Sequence, residues 1–80
     1  MTSSEPARRH YRVLTRTRGG SDGAVMHDVQ LQAQSTGALL WAQTFSDAAE
    51  AQAYEAAVTD DLEILDEATF RRKYGVPTSR

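Results

Sequence analysis

The chain contains no cysteine and no long apolar run, and each absence closes a class of functions. Without cysteine there is no disulfide framework, no thiolate nucleophile and no thiolate metal site. No stretch approaches the ~20 apolar residues that a membrane-spanning helix requires. Residues 1–6 lack the apolar centre of a secretory leader, so the expected compartment is the cytoplasm. A length of 80 residues bounds the chain to one domain. A domain of that size buries only ~60% of the surface its unfolded chain exposes, which leaves a thin core that a partner can stabilise.

Acid and base are segregated. The first twenty residues carry Arg8, Arg9, Arg12, Arg16 and Arg18 against Glu5 alone. Residues 21–65 hold acidic side chains and no basic ones, and the last fifteen set Arg71, Arg72, Lys73 and Arg80 against Asp66 and Glu67. The net charge is −2, so the basic–acidic–basic order is more informative than the sum. It fits an internal match between a basic first strand and an acidic helix, or a basic surface that meets an acidic partner.

Side-chain alternation predicts three strands. From Arg8 to Arg18, Tyr11, Val13, Thr15 and Thr17 share one face, while His10, Arg12, Leu14, Arg16 and Arg18 share the other. Gly19 to Gly23 is rich in residues that tolerate positive φ and reads as a hairpin loop. Ala24 to Gln34 sets Val25, Val29, Leu31 and Ala33 against Met26, Asp28, Gln30, Gln32 and Gln34. After the turn Ser35-Thr36-Gly37, Ala38 to Phe45 sets Leu39, Trp41 and Phe45 against Leu40, Ala42 and Thr44. Directly paired residues share a face, so loops with an odd number of residues give an inner face of Tyr11, Val13, Val29, Leu31, Leu39, Trp41 and Phe45.

Asp47 before an alanine-rich run, with Glu50 three residues on, predicts a capped helix start. Ala51, Tyr54, Val58, Leu62 and Leu65 then recur at the spacing that covers a sheet. Asp60 and Asp61 oppose the dipole at the end of this helix, and Arg71, Arg72 and Lys73 are candidates to compensate. Asp66 starts a second, short helix in which Leu65 can pack on Phe70 and Glu67 can pair with Arg71; Gly75 and Pro77 end it. The predicted fold class is therefore α+β: a three-stranded antiparallel β-meander covered on one face by a long α-helix, plus a short C-terminal helix (β-β-β-α-α). The domain is expected over residues 8–76, between an N-terminal disordered tail, 1–7, and a C-terminal tail, 77–80.

No catalytic constellation emerges. The loop Gly19 to Gly23 leads into a strand, whereas a phosphate cradle opens into a helix N-terminus. His10 and His27 fall on opposite faces, which separates them from a shared metal ion and from a common triad. The run Asp60, Asp61, Glu63, Asp66, Glu67 lacks the glycine of a calcium loop. The expectation is a protein that is no enzyme, with no cofactor, no metal, no membrane partner and no small-molecule substrate.

The far side of the sheet is the candidate site. Arg12, Arg16 and Arg18 lie there beside Gln30, Gln32 and Gln34, with Leu14, Met26 and Leu40 as an apolar stripe across the three strands. The partner-binding residues expected on this face are Arg12, Leu14, Arg16, Met26, Gln30 and Leu40. They suit a protein partner or a homodimer, and a plain solvated surface in which Arg16 or Arg12 pairs with Asp28 is the bland reading of the same residues. Arginine and glutamine also read base edges and phosphates. The element order, with Thr44-Phe45-Ser46-Asp47-Ala48-Ala49-Glu50-Ala51 at the strand-to-helix junction, resembles the three-strand-plus-helix arm and AP2-type DNA-binding domains over roughly Tyr11 to Val58. That resemblance implies nucleic-acid binding through the sheet face as the alternative function.

Overall fold

The computed structural model describes residues 5–20 and 22–76. Strands β1 (Tyr11–Gly19), β2 (Val25–Ala33) and β3 (Leu39–Phe45) form an open antiparallel sheet in the order β1-β2-β3. Helix α1 (Ala48–Ile64) crosses one face of it, and the short helix α2 (Glu67–Tyr74) follows. This is the α+β architecture expected from alternation and capping. Among the described residues, no helix is long and apolar enough to cross a membrane.

The helix boundaries follow from local chemistry. Asp47 is the N-cap of α1 and accepts a hydrogen bond from the Ala49 N–H at 3.2 Å, satisfying one of the donors a helix start leaves open. Leu65 leaves helical geometry with ψ 148°, which ends α1. Asp66 caps α2 by accepting from the Thr69 N–H at 2.8 Å. At the other end of α2, Gly75 adopts φ +63°, the left-handed conformation that glycine reaches without a Cβ clash. The N–H groups of Gly75 and Val76 both return to the Arg71 carbonyl.

The first hairpin keeps an unbroken register, from Tyr11 opposite Ala33 to Gly19 opposite Val25. The second corrects an expectation. Leu31 faces Trp41, but Gln32 faces Leu39, so Leu40 is an extra residue in β3: a β-bulge. The cause lies in the turn, where the Ala33 N–H bonds to the Ala38 carbonyl and the Gly37 N–H to that of Ala33. This closes a loop over residues 34–37, an even number rather than the expected odd one. The bulge restores the parity that brings Trp41 to the helix side. Its effect is to exchange two leucines. Leu39, expected in the core, is 56% exposed, whereas Leu40, expected on the far side, packs against the core.

Phe70, Leu31, Val29 and Val58 are the largest fully buried side chains. Around Phe70, the Tyr11 ring stacks at 5.5 Å between centroids and the Tyr74 ring sits at 4.5 Å. Trp41 continues the aromatic cluster to Tyr54 at 6.0 Å and Tyr74 at 6.1 Å. The short second helix thus supplies the centre of the core. Ala51, Val58 and Leu62 form the buried stripe of α1, as their spacing predicts.

The N-terminal segment belongs to the domain from Glu5 onward, earlier than the expected boundary after residue 7. Ala7 is fully buried in a single 3₁₀ turn (Ala7–Arg9) and donates its N–H to the Leu65 carbonyl at 3.0 Å. The Glu67 N–H reciprocates to the Glu5 carbonyl at 3.1 Å. The expected tails at residues 1–4 and 77–80, and Pro77 as a helix stop, lie outside the described residues.

The acidic end of α1 is compensated by one of the three expected bases. Lys73 Nζ lies 2.8 Å from Asp61 Oδ2, and the Tyr74 hydroxyl donates to the same oxygen at 2.5 Å. These two hydrogen bonds, that of Lys73 first, hold the Asp61 carboxyl below its ordinary range. Burial, reinforced by Asp61, raises the Tyr74 hydroxyl in turn.

Candidate functional site

Strand pleating directs the even-numbered residues of β1 and β2 away from α1. In the observed register this face consists of cross-strand rows: Arg12, Gln32 and Leu39; Leu14, Gln30 and Ala42; Arg16, Asp28 and Thr44; and finally Arg18 with Met26. Among the described residues, no helix packs on it. Leu14, Met26 and Gln30 are half-buried by their neighbours, and Arg12, Arg16 and Leu39 are exposed.

Five of the six expected site residues are therefore brought together: Arg12, Leu14, Arg16, Met26 and Gln30. Leu40 is not among them, because the bulge turns it to the core. The expected apolar stripe of Leu14, Met26 and Leu40 does not form either. Leu14 pairs with Gln30 and Met26 with Arg18, four residues apart along β2. Leu39 supplies the exposed apolar group on β3 instead, beside Gln32.

The centre of the face is an ion pair of Asp28 with Arg18, in place of the expected Arg16 or Arg12. Arg18 donates from Nε to Asp28 Oδ2 at 2.7 Å and from Nη2 to Asp28 Oδ1 at 3.0 Å. Thr44 donates its hydroxyl to Asp28 Oδ1 at 2.7 Å. Asp28 is buried, at 6% exposure. The hydrogen bonds from Arg18 and then Thr44 outweigh its desolvation, and its pKa falls to about 2. Arg16, directly opposite Asp28, adds a smaller electrostatic contribution in the same direction.

Arg12 spends its donors sideways as well, reaching Gln32 Oε1 from Nη2 at 3.1 Å and from Nε at 3.3 Å. The Arg16 side chain makes no hydrogen bond or ion pair with the described residues. The face thus presents one uncommitted guanidinium, a second held by a neutral amide and a third neutralised by Asp28.

A smaller feature lies on the helix side. Thr15, Thr17 and His27, together with Gln52 and Glu55 from α1, line an open cleft of about 310 Å³. Small residues at Ala48 and Ala51 leave this space where α1 begins. His10 is elsewhere, bonded to Glu5 at 3.0 Å, so the two histidines are separated as expected. Among the described residues, no group of three or more His, Asp or Glu side chains is arranged to hold a metal ion.

No family model matches the chain, and neither a curated protein nor a solved structure matches it.

Proposed function

We propose that the chain is a non-enzymatic binding module whose open sheet face docks an acidic, partly apolar surface of another protein. The observation that carries this is the uncovered row pattern, in which Arg12 and Arg16 flank Leu14 while Met26 and the exposed Leu39 lie at opposite ends. Three arginines against one aspartate leave the face positive. Stacking it on the same face of a second copy would set like charges together, so complementarity favours a different, acidic partner.

The same charge could attract nucleic acid. Two observations weigh against that reading. Arg18 and Arg12 are committed within the sheet, and the apolar Leu14 separates Arg12 from Arg16, the one arginine left uncommitted. A groove-reading face keeps its guanidinium groups available for base edges and phosphates.

The test is fluorescence anisotropy with two labelled probes: a peptide of alternating glutamate and leucine, and a 20-bp DNA duplex. The peptide is expected to bind, with Arg16→Glu weakening it at least about tenfold, a loss of roughly 1.4 kcal/mol. The duplex is expected not to bind even at ~50 mM salt. Duplex binding that falls steeply with added salt, without peptide binding, would replace this function by the alternative.

A further inference from the structure

The two edges of the sheet are defended unequally. β1 carries Arg12, Arg16 and Arg18 along its nine residues, and charged side chains are a common means of preventing edge-to-edge pairing. β3 reads Leu-Leu-Trp-Ala-Gln-Thr-Phe and has no charge at all. Its bulge, another edge guard, falls at Leu40, near its beginning. Trp41 to Phe45 remains regularly paired to β2 on one side and exposes its other backbone edge.

We propose that this edge is where the protein pairs with a second copy of itself, β3 against β3 antiparallel, joining two three-stranded sheets into one of six strands. Charge selects the edge. A β1–β1 contact would bring the arginines of two copies together, whereas β3–β3 pairing brings no charged side chain of either strand into the contact. Identical antiparallel strands are self-complementary and close as a two-fold dimer.

Side-chain chemistry selects the register. With the two-fold axis at Gln43, Trp41 lies opposite Phe45 of the second copy on the helix side, and Ala42 lies opposite Thr44 on the open side. This keeps both α1 helices on one face and both open faces on the other. It also covers the half-buried Trp41 ring with an aromatic partner, a favourable cross-strand pair. Helix α1 lies over β1 and β2 more than over β3, which leaves this edge accessible. The proposal concerns the sheet edge and stands independently of what the open face binds.

The Gln43 side chain is exposed and makes no hydrogen bond with the described residues, so it can be changed without disturbing the core. At the axis its two copies sit about 5 Å apart. Sedimentation velocity from micromolar to millimolar concentration is expected to show wild-type protein reaching twice the 8.8 kDa chain mass. Gln43→Lys and Gln43→Glu should each remain monomeric, and an equimolar mixture of the two should recover the dimer. Wild-type protein that stays at the chain mass throughout would overturn the proposal. So would single variants that still dimerise, or a mixture that does not recover. Arg16→Glu should leave the dimer mass unchanged, which separates failure at the edge from failure at the open face.

Discussion

Arg18 and Asp28 are joined by two hydrogen bonds of 2.7 and 3.0 Å that run diagonally from β1 to β2. Because Thr44 of β3 bonds to the same carboxylate, one buried aspartate ties all three strands together on the side of the sheet that has no helix. The helix side is held by apolar burial, and the open side is held by this polar network.

The ionisation of Asp28 makes that network pH-dependent. Its carboxyl is depressed in the folded state to about 2, against ~3.9 in an unfolded chain. A depressed carboxylate contributes stability that is fully present above its unfolded pKa and is lost as pH falls through its folded pKa. Asp28→Asn should therefore be less stable than wild type at neutral pH, with the gap closing between ~pH 4 and ~pH 2. Urea midpoints for both proteins across this range check it. A gap of the same size at both ends would mean that ionisation contributes nothing.

The bulge makes opposite predictions for adjacent leucines. Leu40→Ala removes a side chain packed on the core and should cost about 1–3 kcal/mol, below the full range for a completely buried leucine. Leu39→Ser alters an exposed side chain and should fall within about 0.5 kcal/mol of wild type. Chemical denaturation of the two variants measures the difference. The reverse order would restore an unbulged β3 with Leu39 inward.

Phe70 organises the aromatic cluster although it lies on an eight-residue helix near the end of the chain. Phe70→Ala should cost about 3–5 kcal/mol, comparable with the whole stability of a domain this small. The variant should show lost near-ultraviolet dichroism of its tyrosines and Trp41. A folded variant destabilised by less than about 1 kcal/mol would place the core elsewhere.

The strands, the helices and their caps were legible in the sequence because each rests on local chemistry: alternation in β1, aspartate at Asp47 and Asp66, glycine at Gly75. The bulge was not, since Leu39 and Leu40 are both leucine and alternation cannot say which one turns inward. Loop parity was the remaining clue, and the turn after Ala33 resolved it the other way. The partner of Asp28 was equally hidden. Arg12, Arg16 and Arg18 occupy the same face of β1, and only strand geometry selects the diagonal neighbour. The docking of Glu5 to Ala7 against the junction of α1 and α2 depends on backbone hydrogen bonds between distant segments, for which side-chain identity gives no signal.

The most direct measurement of the central proposal is a methyl-resolved NMR titration with the glutamate–leucine peptide. The two sides of the sheet carry different methyl groups: Leu14, Met26 and Leu39 on the open side, and Val29 and Leu31 with Val58 of α1 on the helix side. Binding to the open face predicts shifts at the first three and little change at the others. Shifts concentrated instead on Val29, Leu31 and Val58 would contradict it and move the binding surface to the helix side.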